Sequence, residues 1–82
     1  MFEYKTHGTC STKIHFDVTD NKVYAVSFEN GCNGNLQAIS RLVDGMDAEE
    51  LIRQLKGIRC GFKKTSCSDQ LARAVESALQ GQ

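Results

Sequence analysis

Hydrophobic residues recur along this chain with two different periods. From Ser11 to Val18 they alternate, with Thr12, Ile14, Phe16 and Val18 on one face and Lys13, His15 and Asp17 on the other, the pattern of a half-buried strand. Asp20-Asn21 then marks a turn, since both side chains tolerate left-handed backbone. Val23 to Phe28 alternates again, with Tyr24, Val26 and Phe28 expected to share a face, so the two stretches read as an antiparallel hairpin. Phe2 and Tyr4 are candidates for a third strand at the edge.

Beyond Asn30-Gly31-Cys32-Asn33-Gly34-Asn35 the period changes from two to 3.6. Leu36, Ile39, Leu42, Val43 and Met46 form one apolar stripe that ends near Gly45, a residue suited to a helix C-terminus. Asp47-Ala48-Glu49-Glu50 carries the start signal of a second helix, an N-cap acid followed three residues later by Glu. The stripe of that helix is Leu51, Ile52 and Leu55, with Gly57 as its stop. A third helix is expected from about Ser68 to Leu79, with Leu71, Ala74, Val75, Ala78 and Leu79 facing inward. Strands come first and helices after, which predicts an α+β domain of order β-β-α-α-α: a small antiparallel sheet of two or three strands with three helices packed on one face. No repeat, low-complexity tract or long linker interrupts the chain, so residues 1–82 read as a single domain.

At 82 residues such a domain buries only about 60% of the surface its unfolded chain exposes, and a disulfide or metal staple is expected to support it. Four cysteines are present, Cys10, Cys32, Cys60 and Cys67. The N-terminus lacks a basic start followed by an apolar stretch, and no apolar run approaches the length that spans a bilayer. The expected location is therefore cytoplasmic, with no membrane association and with reduced thiols. Ten Lys and Arg balance ten Asp and Glu, which gives no field to attract a nucleic acid. The local exception is Lys56, Arg59, Lys63 and Lys64, which bracket Cys60 and precede Cys67. Such a stretch reads either as a solvated loop or as a set of cations that favour neighbouring thiolates.

Cys32 and Cys67 lie in turn-forming residues ahead of helical segments, where unpaired N–H groups and the helix dipole favour a thiolate. Thiolates are what metal ligation requires. Four of them suit structural zinc, iron or an iron–sulfur cluster. No Cys-x2-Cys knuckle is present, because 21, 27 and six residues separate successive cysteines. The spacing alone leaves metal ligation, buried structural thiols and reversible disulfide chemistry all open.

Three phrases narrow the choice. Gly31-Cys32-Asn33-Gly34-Asn35-Leu36, Leu55-Lys56-Gly57-Ile58-Arg59-Cys60-Gly61 and Thr65-Ser66-Cys67-Ser68-Asp69-Gln70-Leu71-Ala72, in that order, resemble the TSCPD-domain family, and in particular its small stand-alone members with four cysteines. The motif's usual proline is Ser68 here, and both residues start helices well. Larger members carry this domain near the C-terminus of adenosylcobalamin-dependent ribonucleotide reductases. The resemblance implies a metal-binding module with Cys10, Cys32, Cys60 and Cys67 as ligands, accessory or regulatory to a ribonucleotide reductase or another partner in nucleotide metabolism. Zinc is the expected metal, with iron or an iron–sulfur cluster as the alternative.

A more distant similarity, to the scaffold proteins that assemble iron–sulfur clusters, matches Cys10, Cys32 and Cys67 to the three scaffold cysteines. Ser66 stands where the scaffold has a histidine, and Cys60 becomes the fourth ligand. That comparison implies the same fold, and cluster assembly or carriage as an alternative function. Thiol redox chemistry between Cys60 and Cys67 is a third.

His15, on the polar face of its strand, reads as a surface residue, and His7 is a substitute ligand should Cys60 not serve. Asp69 is explained by the helix dipole, with orientation of the loop as its other role. Arg41 and Arg53 fall on polar helix faces. No nucleophile with a supporting base, phosphate loop or carboxylate pair is evident, and the chain is too short for a reductase barrel. Catalysis by this chain alone is not expected; reductase activity would belong to the larger relatives.

Overall fold

A computed structural model of the chain describes residues 2–6, 12–29, 34–59 and 65–80. The element order is β1 (Phe2–Lys5), β2 (Lys13–Thr19), β3 (Lys22–Glu29), α1 (Gly34–Leu42), β4 (Met46–Asp47), α2 (Ala48–Leu55) and α3 (Cys67–Leu79). The α+β expectation holds, with the sheet antiparallel throughout in the order β1-β2-β3-β4. Among the described residues no helix is long and apolar enough to cross a membrane.

Alternation in the sequence becomes the two faces of the sheet. Ile14 and Phe16 on β2 are buried, Val18 is partly so, and Phe2 stacks on Phe16 with ring centroids 5.4 Å apart. The β2–β3 turn is Asp20-Asn21, with φ of 51° and 64°. Two positive φ values in a two-residue loop match the right-handed twist of the strands it joins.

The face assigned to the second strand is corrected by a bulge. His15 pairs with Ser27 and Asp17 with Tyr24, so Phe16 is opposed by both Ala25 and Val26. Ala25 takes a φ of 56°, and the extra residue reverses the alternation. Val23 rather than Tyr24 therefore joins Val26 in the core, and Tyr24 is exposed.

Two further corrections concern helix ends. α1 stops at Leu42, and the chain turns through Gly45 at φ 80° into β4, a fourth strand that the periodicity does not reveal. Met46 pairs with Val23 instead of extending the helix. Leu36 and Val43 are buried and Ile39 partly buried, but Leu42 is 76% exposed, because it lies about 120° around the helix from Leu36 at 100° per residue. In α3, Leu71, Ala72, Ala74 and Val75 are buried, whereas Leu79 in the last turn is 38% exposed.

α2 follows its sequence signals. Asp47 caps it by accepting from the Glu50 N–H at 3.2 Å, Leu51 is fully buried, and Gly57 follows the helix at φ 93°. The Ala48 N–H donates to the Asn21 carbonyl at 2.8 Å, which docks the start of α2 on the hairpin turn. All three helices cover one face of the sheet. The core between them holds Ile14, Phe16, Val23, Val26, Val43, Ala48, Leu51, Leu71 and Val75.

Candidate metal centre

Three strand ends meet at the sheet margin formed by Lys5, Lys13 and Glu29. The Thr6 N–H donates to the Thr12 carbonyl at 3.1 Å, and the Thr12 N–H donates to the Glu29 carbonyl at 2.9 Å. The described chain thus leaves at Thr6, returns at Thr12 and leaves again at Glu29, all at the end opposite the Asp20-Asn21 turn. α1 begins beyond that margin and runs back, since the Asp44 carboxylate accepts from the Ala25 N–H at 3.1 Å and the Gly45 N–H donates to the Val23 carbonyl at 2.6 Å.

The start of α3 is brought toward the same end. α2 departs from the hairpin turn, and its trailing residues Gly57 and Ile58 bond to the first turn of α3. The second half of α3 lies over the strands, where Ala74, Ser77 and Ala78 line a small cleft with Phe2, Tyr4 and Phe16. Cys67 is the first residue of α3 and is half-buried.

The junction between α2 and α3 is a polar network built by Thr65, Ser66 and Asp69. Ser66, not Ser68, is the N-cap: its Oγ accepts from the Asp69 N–H at 3.1 Å and donates to the Ile58 carbonyl at 2.7 Å. Asp69 has no exposed surface. Its Oδ1 accepts from the Gly57 N–H at 2.7 Å, and its Oδ2 accepts from Thr65 Oγ1 and from Arg73 Nε, the latter at 2.9 Å. Gln70 Nε2 donates to Thr65 Oγ1 at 3.0 Å and ties the turn to the next residue of the helix.

Burial, the largest single influence on the Asp69 carboxyl, pushes its pKa up. The hydrogen bonds from Thr65, Gly57 and Arg73, with the charge of Arg73, outweigh it and hold the group below the usual aspartate range. Asp69 is thus a buried anion whose oxygens are occupied by donors. This goes beyond the dipole explanation that its position in the first turn suggests, because it fixes both shoulders of the 60–64 stretch, through Gly57 on one side and Thr65 on the other. Only the phrase Thr65-Ser66-Cys67-Ser68-Asp69 hinted at this, and periodicity carried no sign of it.

Cys67 is therefore the cysteine whose surroundings are described. Cys10, Cys32 and Cys60 lie outside the described residues, as do His7, Lys63 and Lys64. Among the described residues no group of three or more His, Cys, Asp or Glu side chains forms a metal-sized cluster. His15 is partly buried on the polar face of the sheet, where its ring nitrogens face Glu3, at 3.6 Å, and Glu29. Its hydrogen bond to Glu29 lowers the pKa of that carboxyl. Within the basic stretch, Lys56 turns away to Glu76, with Nζ–Oε distances of 2.9 and 3.0 Å, and Arg59 is exposed. Arg41 and Arg53 are exposed on their helices as expected.

Comparison with known proteins places this arrangement in a family. No curated protein and no solved structure matches the chain. The family model of the TSCPD domain matches residues 2–79, the span that runs from β1 to the end of α3, and the chain belongs to the TSCPD domain family.

Proposed function

We propose that this chain is a metal-binding module in which Cys10, Cys32, Cys60 and Cys67 hold one metal ion. The observation that carries this reading is convergence. Thr6, Thr12 and Glu29, which flank Cys10 and precede Cys32, lie at one end of the sheet, and Ile58 and Thr65, on either side of Cys60, adjoin the start of α3 at Cys67, which is directed toward that end. The donor chemistry fits, since four thiolates satisfy the tetrahedral preference of zinc, and half-burial at a helix start suits a thiolate. Bound zinc supplies folding free energy to a domain of this size, because the site does not exist in the unfolded chain. Membership of the TSCPD domain family supports an accessory or regulatory role toward a ribonucleotide reductase, acting in trans on nucleotide metabolism within the cytoplasm.

The test is elemental analysis of anaerobically purified protein together with thiol titration. About one equivalent of zinc is expected, with no thiols titrating until the protein is unfolded in chelator. Cys67→Ser is expected to lose the metal, and each of the other three serine variants to lower its affinity. Folded, metal-free protein with four titratable thiols overturns the reading. Brown protein that passes a chromophoric cluster to an apo-acceptor replaces it with cluster carriage.

A further inference from the structure

Beyond Val23 the second margin of the sheet meets no strand among the described residues. β3 pairs with β2 along its length, but with β4 only at Lys22 and Val23. Asp44 occupies the Ala25 N–H, so the outward edge of β3 over residues 26–29 meets no strand among the described residues. α1 runs beside that edge without closing on it. Between them lies an open groove of about 300 Å³, with Val26, Phe28 and Leu36 at its floor and Gln37, Ser40 and Arg41 along the helix side. Ser40 Oγ is engaged with the Leu36 carbonyl at 2.9 Å. Arg41 is exposed and makes no ion pair with a described carboxylate.

We infer that this groove binds an extended peptide segment of a partner protein by strand addition, with an aliphatic side chain seated on Val26, Phe28 and Leu36 and a carboxylate at Arg41. Three features fix the chemistry of the occupant. An edge of four residues, about 13 Å at 3.3 Å per residue, offers main-chain hydrogen bonds to another strand and to little else. A groove of this volume lies at the small end of ligand sites and takes one or two aliphatic side chains. The cation at its rim pairs with no carboxylate among the described residues, and a guanidinium matches a carboxylate in shape as well as charge. The proposal uses none of the four cysteines, and it stands whether or not they bind metal.

The experiment is fluorescence anisotropy on the metal-replete chain with two labelled hexapeptides, one alternating valine with aspartate and the other alternating valine with lysine. Saturable binding is expected for the aspartate peptide alone. Arg41→Glu, a change on an exposed helix position, is expected to weaken it by about tenfold and to favour the lysine peptide instead. Amide shifts confined to Val26–Glu29 and α1 mark strand addition. Equal binding of both peptides, indifference to Arg41→Glu, or a concentration-dependent dimer that buries the same edge against a second copy each overturns the proposal.

Discussion

α1 follows a cysteine set among turn-forming residues and α3 begins on one, yet the contacts described for the two helices differ. α3 starts on a network in which Ser66, Thr65 and Asp69 satisfy its first turn and grip the residues trailing α2. α1 has no acidic residue in its first turn, and Leu36 is its one buried residue. Polar bonds close the start of α3, while among the described residues of α1 a buried leucine anchors the body of the helix. Directional bonds fix a loop's position, whereas burial of one leucine fixes a helix axis but tolerates a groove beside it. The cysteine at α3 is consequently supported from its own helix and from the preceding loop, and the open groove lies along α1.

The contrast can be broken most severely at Asp69. Asp69→Ala leaves the Gly57 N–H and Thr65 hydroxyl without their acceptor and Arg73 without its partner, and it is expected to cost about 3 to 4 kcal/mol in urea unfolding. An effect below about 1 kcal/mol would show that the junction is solvated rather than closed. The charge has its own signature. Because the folded pKa lies below the unfolded one, the native state binds fewer protons, and the stability Asp69 contributes is complete above about pH 4 and disappears as pH falls through the folded value. Asp69→Asn is therefore expected to flatten the acid limb of the stability profile, and an unchanged limb would assign it to other carboxylates.

Leu36→Ala is the counterpart on α1. It is expected to cost about 2 kcal/mol, at the low end for a buried leucine because the adjoining groove lets neighbours relax. Hydrogen exchange should show faster opening of α1 while α3 stays protected. Ser66→Ala removes a cap and the bond to Ile58, for about 1 kcal/mol, and should loosen residues 57–59 as well as the helix start. If thermal unfolding moves but residues 57–59 do not, the cap acts on α3 alone. The smallest change expected is a gain. Ala25 occupies left-handed backbone at the bulge, so Ala25→Gly is expected to stabilise the chain by about 0.5 kcal/mol, the relief of strain exceeding glycine's entropic cost.

Alternation and helical periodicity located the paired strands, the three helices and most of the core, because each side chain's face follows from local geometry. The errors occur where one residue shifts that geometry. The bulge at Ala25 exchanges Tyr24 for Val23, and the turn at Gly45 sends Met46 into the sheet, since pairing with Val23 outweighs continuation of the helix. The Ser66 cap shows the same limit, because Ser66 and Ser68 are equivalent until their neighbours are known. The sequence by itself determined the α+β class, the order of the hairpin and the three helices, and the identity of four candidate thiols. Only the tertiary structure decided that Asp69 is a buried anion closed by Gly57, Thr65 and Arg73, and that the edge of β3 beside Arg41 meets no strand among the described residues. The reason is physical: a residue's face depends on its neighbours in the chain, whereas burial of a charge and exposure of an edge depend also on distant partners, as Asp69 depends on Gly57, 12 residues away.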